Sequence, residues 1–259
     1  GNGHMGYHPG TIGLDRGLAI AGASGFCLAG IRNIGHSGML AFFARRIARA
    51  GFWGIVMAHC TPLMAPYGGV RRVFGTNPIA LGVPRKNEHP FIIDVSLAAT
   101  TFGAVSLARQ AGKSIEEGTA LDSDGRSTTD PRAVMEGGSL LPAAGHKGSA
   151  IALICGPLIG AASVPEQASD YGLVFFIIRP DLFHCGVETE KGVKELLAAV
   201  EGCPPEEGLE RVILPGERAN RQLEHSLEHG LEVDRELWEN TSRLAATNPK
   251  QEKKHEKES

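Results

Sequence analysis

The chain has 259 residues, 42% of them hydrophobic and 21% charged. That is ordinary globular usage and long enough for one large domain or two small ones with a proper core, which excludes wholesale disorder. A net charge of −3 supplies no basic field, so neither nucleic acid nor an anionic membrane surface is a favoured partner.

The chain opens without Met on Gly1-Asn-Gly-His-Met-Gly6, in the manner of mid-domain sequence. Apolar spacing predicts a helix over Thr11–Ala23, a buried strand over Phe26–Ile31 and a loop from Arg32 to Gly38. Met39–Ala50 repeats apolar residues at Leu40, Phe43, Ile47 and Ala48 between arginines, an amphipathic helix. Strands follow at Phe52–Met57, Ile79–Val83 and Phe91–Val95, the first two separated by the Gly- and Pro-dense loop Pro62–Pro78. Phe102–Ala111 reads as a helix, Ile115–Asp130 as turns, and Asp130-Pro131 as a helix start. Gly148–Ala162 is expected to be a buried helix, since its uncharged run falls short of the ~20 residues of a membrane span. Leu173–Ile178 and Arg211–Leu214 read as strands, Glu188–Val200 and Glu217–His229 as helices. The charged stretch Lys250–Ser259 has nothing to bury and is expected to be disordered.

Strands alternating with helices argue an α/β architecture with helices on both sheet faces. Ligands of such sheets sit beyond strand carboxyl ends, where Asn33–Gly38, Cys60–Gly69 and Asp94–Ala98 fall. Five scattered cysteines, Cys27, Cys60, Cys155, Cys185 and Cys203, imply a reducing compartment. The pairs His59-Cys60 and His184-Cys185 lack the spacing of a zinc site, so no metal is expected. No cationic-then-apolar leader opens the chain.

Three motif matches fail on context. Gly1-x-Gly3-x-x-Gly6 copies the dinucleotide fingerprint, but no strand precedes it and no acid follows about twenty residues on. Gly112-Lys113-Ser114 resembles the end of a phosphate-binding loop, yet Leu107 stands where its first glycine belongs. Asp122-Ser-Asp124-Gly125 lacks the later ligands of a calcium loop.

What survives centres on His36, set between Gly35 and Ser37-Gly38 after a strand and before a helix. Flanking glycines clear side-chain bulk, and imidazole can give or take a proton near neutral pH. Asp94 ends an apolar strand, where it either caps the next turn or serves the site. Pro66-Tyr-Gly-Gly69 offers uncovered backbone amides, and Lys147 can meet a phosphate or carboxylate.

Seven ordered motifs then carry a resemblance: Asn33-Ile-Gly-His-Ser-Gly38, Met64-Ala-Pro-Tyr-Gly-Gly69, Gly75-Thr-Asn-Pro-Ile-Ala80, Ile93-Asp94, Thr128-Thr-Asp-Pro131, Leu141-Pro142 with Gly145-His-Lys-Gly148, and Pro215-Gly-Glu217. The series resembles the malate/L-lactate dehydrogenase family over almost the whole chain. The resemblance implies a non-Rossmann mixed sheet with helices on both faces and a cytoplasmic homodimer. It implies NAD(P)-dependent transfer of hydride to or from a small 2-hydroxy or 2-oxo acid such as malate, lactate or ureidoglycolate. His36 matches a family proton acceptor, with Asp94 orienting it or the nicotinamide amide. Cys60, Asp94, Val95, Ser96, Lys147, Gly216 and Glu217 match cofactor contacts.

The expected layout is a cofactor-binding α/β domain over residues 1–185, a C-terminal helical and strand segment over 186–245, and a charged tail over 246–259. Family chains carry a preceding helical segment with substrate-binding residues, and their stretch corresponding to Ala162–Leu173 is longer. The competing reading is therefore a catalytically incomplete, cofactor-binding relative acting as a partner or regulator. A hydrolase using Ser37 with His36 is disfavoured, because adjacent residues point apart.

Overall fold

The computed structural model describes residues 1–163, 171–182 and 186–247. The charged stretch from Lys250, the His184-Cys185 pair and most of the Ala162–Leu173 stretch lie outside the described residues. In order, the elements of the α/β part are helix α1 (Tyr7–Ser24), strand β1 (Phe26–Ile34), α2 (Ala41–Arg49), β2 (Trp53–His59), β3 (Ile79–Val83), β4 (Phe91–Val95) and α3 (Phe102–Gln110). There follow β5 (Ala120–Leu121), α4 (Pro131–Met135), β6 (Ser139–Leu140), α5 (His146–Ser163), β7 (Tyr171–Ile178) and α6 (Gly186–Glu201). Helices α7 (Glu217–His229) and α8 (Arg235–Thr247) close the list. Residues 1–216 form one compact unit, and the helices from Glu217 onward form a second.

Five strands make the main sheet in the order β1-β7-β2-β3-β4, and all four pairings are antiparallel. The α/β layering with a non-Rossmann sheet is as anticipated. The carboxyl-end rule, however, belongs to parallel sheets; here it works for a different reason. With directions alternating along that order, β1, β2 and β4 all run the same way, so their three trailing loops emerge on one edge.

β7 is an inner strand between β1 and β2, and it reads as an unbroken apolar run because both its faces are covered. Leu173, Phe175 and Ile177 join one core cluster with α1 and α2, while Val174 and Phe176 face the other, built from α3, α4, α5 and the loops between them. Phe43 and Phe175 are fully buried, and each contributes about 1.5–3 kcal/mol by burial. α1 starts four residues earlier than its apolar spacing suggests, and its Gly10, Gly13 and Gly17 form a ridge without side chains. A Cβ on any of them would stand 2.8 Å from Phe43, Ile31 or Ile177 respectively, so the helix lies close on the sheet.

Three expectations are corrected. Among the described residues, 211–214 pair with no strand; apolar residues alone do not make a strand without a neighbour's ladder groups, and Pro215 follows at once. α5 is not buried all round: Ala152, Cys155 and Ile159 enter the core, whereas Ile151, Ile154 and Leu158 on the opposite face are exposed. β1 runs on to Ile34, with its register shifted between Ile31 and Ile34. Asn33 adopts φ 52° there, a left-handed position that Asn tolerates. Conversely, the Asp130 carboxylate accepts from Arg132 N–H at 2.8 Å with Pro131 behind it, the anticipated start of α4. α8 and the small β5–β6 pair had no clear signal in the sequence.

Candidate functional site

A cavity of about 450 Å³ opens on the edge where β1, β2 and β4 end, lined by His36, Ser37, Met39, Cys60, Asp94 and Ser96, among others. All three loops picked from the sequence contribute to its wall. His36 reaches it because the irregularity at Asn33 redirects the chain after β1. Its ring meets Tyr171, the first residue of β7, edge-to-face with centroids 6.2 Å apart. Gly38 holds φ 66°, and a Cβ on it would fall 2.0 Å from the Tyr7 hydroxyl oxygen. That hydroxyl accepts from Met39 N–H at 3.2 Å and pins the cavity rim to α1.

Asp94 does not cap the turn that follows its strand, as one reading of the sequence had it; it caps a distant helix instead. It lines the cavity, and its Oδ2 accepts from Ala41 N–H at 2.7 Å, so β4 caps the start of α2 from a distance of 53 residues. α2 has no side-chain cap of its own, and the carboxylate complements the positive end of the helix. The residue is open to the cavity, yet surrounding protein pushes its pKa above the ordinary carboxylate value, while the Ala41 and Leu40 N–H groups pull it back. Cys60 Sγ lies 3.4 Å from the Thr61 carbonyl and 3.9 Å from Thr76 Oγ1. Burial raises its pKa, with Thr76 opposing, so the thiol stays neutral near pH 7. Ser96 Oγ accepts from Ala98 N–H at 3.1 Å.

The remaining matched residues are placed apart from the cavity lining. Val95 pairs with Ile79 in the sheet. Lys147 is exposed in the first turn of α5. Gly216 lies against the Ile92 carbonyl oxygen, 2.4 Å from where its Cβ would stand. Glu217 opens α7 in the second unit and pairs there with Arg221.

Sequence reasoning missed Thr76, Tyr171 and the start of α3 at Thr101, Phe102 and Gly103, all of which line the cavity. Thr101 had a readable signal: a threonine before a helical run is an N-cap, and its Oγ1 accepts from Ala104 N–H at 3.0 Å. Tyr171 had none, since its place follows from pairing with Ile34 across the sheet.

Among the described residues no group of three or more His, Cys, Asp or Glu could hold a metal ion. Charge is distributed unevenly. Asp94 is the one acid among the described residues that line the cavity, and no Lys or Arg lines it.

A sequence profile described as malate/L-lactate dehydrogenase matches residues 1–241. Ureidoglycolate dehydrogenase (NAD(+)) of Escherichia coli (strain K12) is 28% identical over 241 residues, 88% of this chain and 68% of that protein. L-sulfolactate dehydrogenase of Methanocaldococcus jannaschii is 33% identical over 234 residues, 85% of this chain and 67% of that protein. The crystal structure of a dehydrogenase from Sinorhizobium meliloti superposes with a TM-score of 0.80 at 28% identity, covering 90% of this chain and 71% of that one. The chain thus spans about two thirds of the length of these curated relatives.

Proposed function

The chain belongs to the malate/L-lactate dehydrogenase family, and from that premise we propose that it is an NAD(P)-dependent oxidoreductase of a small 2-hydroxy or 2-oxo acid. The observation that carries this is the imidazole of His36 on the wall of a cavity shared with the ends of β2 and β4 and the start of α3.

The residues present fit a nicotinamide nucleotide. Gly103 lines the cavity, and a Cβ on it would meet only Thr101 Oγ1, at 3.8 Å, so that wall leaves room for a flat group. Neutral polar atoms of Cys60, Thr76, Ser96 and Thr101 suit an amide. Of the cofactor contacts that the resemblance names, Cys60, Asp94 and Ser96 line the cavity and would hold it there, whereas Val95, Lys147, Gly216 and Glu217 lie outside that lining. When bound, the nicotinamide supplies the hydride chemistry.

What the chain itself contributes is proton handling and position. His36 accepts the substrate hydroxyl proton during oxidation and returns it during reduction. Tyr171, edge-on to it, restrains the ring. Asp94 fixes the start of α2 and, through it, the Met39–Leu40 rim. We carry into the same proposal a cytoplasmic homodimer with residues 1–185 as the cofactor-binding portion and 186–245 as the C-terminal segment. No described helix is long and apolar enough to cross a membrane.

The test is oxidation of NADH and NADPH, followed by absorbance, over a panel of 2-oxo acids. A positioned proton-transfer group is worth roughly 10²–10⁴-fold, so His36→Asn should lower kcat by at least a hundredfold with dinucleotide binding retained. Turnover within threefold of the parent removes His36 from its role. Dinucleotide binding without turnover on any acid favours the catalytically incomplete relative instead.

A further inference from the structure

The second unit carries a side-chain pairing that the cavity does not use. His225-Ser-Leu-Glu228-His229 places two histidines four residues apart in the last turns of α7, with a glutamate directly before the second. Residues at that spacing share one helix face, and a His pair so placed is the donor set of helical zinc sites. The same five-residue order occurs in one class of zinc hydrolases. In the structure both residues are exposed. Their rings are stacked, with centroids 4.4 Å apart and planes 19° from parallel.

His229 Nδ1 lies 3.1 Å from the His225 carbonyl oxygen. A carbonyl can only accept, so Nδ1 holds the proton and the lone pair of the neutral ring is on Nε2. Metal-bound histidines are held in this way, the other ring N–H donating to a carbonyl or carboxylate. Nitrogens bound to one ion at ~2.0–2.1 Å lie about 3–3.5 Å from each other, so the stacked rings need only turn about their soft χ2 torsions to share it. The surroundings favour a cation as well. Between Arg221 and Arg235 there is no Lys or Arg, while Glu224, Glu228, Glu232 and Asp234 are acidic. His229 is also the last residue of α7, at the negative end of the helix dipole.

We propose that His225 and His229 form a surface site for a divalent transition ion of the kind imidazole binds, nickel, copper or zinc, which clamps the last turn of α7. Among the described residues no third His, Cys, Asp or Glu completes a cluster, so water fills the remaining positions and the site binds an ion without the closed shell of a structural zinc centre. It stands apart from the proposed dehydrogenase reaction and does not depend on it.

The experiment is a calorimetric titration with Ni²⁺ of the parent, His225→Ala, His229→Ala, the double variant and His4→Ala. The last is the control, because His4 and His8 are another pair of rings four residues apart, 6.4 Å between centroids. Two rings on one helix act as a chelate, the second contact forming at high effective concentration. Each single variant on α7 should therefore weaken Ni²⁺ binding about tenfold or more, and the double variant should lose little beyond either single. His4→Ala should stay within about twofold of the parent. Far-ultraviolet circular dichroism should show helix gained when Ni²⁺ is added to the parent and none gained in His225→Ala. A parent that binds no Ni²⁺ below about 1 mM, α7 variants that bind it like the parent, or an equal loss in His4→Ala overturns the site. Ni²⁺ that binds through these histidines and leaves the helix content unchanged overturns the clamp.

Discussion

Replacing Asp94 by alanine removes the acceptor for the Ala41 N–H and leaves that donor at the uncapped start of α2. Loss of a helix cap costs typically ~1 kcal/mol, within a range of about 0.5–2. The cavity lets water reach the freed N–H, and removing a partly desolvated carboxylate relieves some of its own penalty, so the middle of that range is the expectation. For a domain of this size ~1 kcal/mol lowers Tm by about 2–4 °C. Asparagine keeps an acceptor in place without the charge, and Asp94→Asn should lose less than half as much.

The pH dependence follows from the raised pKa. A carboxyl whose folded pKa lies above its unfolded value binds its proton more tightly when folded. Its contribution to stability is therefore greatest below the unfolded value near 3.8 and declines as pH rises through the folded pKa. Relative to the parent, Asp94→Asn should gain stability as pH rises from 4 to 7. Thermal unfolding followed by circular dichroism at several pH values measures both effects. Asp94→Asn as damaging as Asp94→Ala at pH 7, or Asp94→Ala indistinguishable from the parent, refutes the capping role.

Gly38→Ala places a side chain at φ 66° and on top of the Tyr7 hydroxyl. The left-handed backbone alone costs about 1–2 kcal/mol, so Tm should fall by roughly 2–8 °C. Adding Tyr7→Ala opens the space, so the double variant should lose less than the sum of the two singles; simple additivity counts against the contact. Cys60, its pKa raised by burial above 9.0, should react with iodoacetamide at pH 7.5 at least tenfold more slowly than exposed Cys203. The gap narrows as the pH climbs past 9, and peptide mass spectrometry reads both rates; equal labelling at pH 7.5 shows Cys60 to be open and ionised.

Much of the fold was legible because local chemistry decided it. β3, β4 and α7 begin and end where apolar runs, turns and the Pro215-Gly216-Glu217 signal placed them, and the pairing of Asp130 with Pro131 started α4 without help from distant residues. His36, Cys60, Asp94 and Ser96 were picked from loop position and motif resemblance, and they do share one cavity. α5 shows where a one-dimensional pattern stops: a helix apolar on all sides looks buried, and only its docking on the sheet reveals that Ile151, Ile154 and Leu158 are left outside. Residues 211–214 fail as a strand for a related reason, since a ladder is a property of two segments and not of one.

The site itself is a product of topology. Chain order says that three loops follow three strands; antiparallel alternation in the order β1-β7-β2-β3-β4 puts those loops on one edge. The Asp94–Ala41 bond and the Tyr171–His36 ring contact join residues far apart in the chain, and neither partner carries a local mark of the other. The amino-acid order thus determined which groups were available for chemistry. Packing against α1 and the pairing of β7 with both β1 and β2 decided which of them meet, because a contact between distant segments exists only once the whole sheet has fixed their separation.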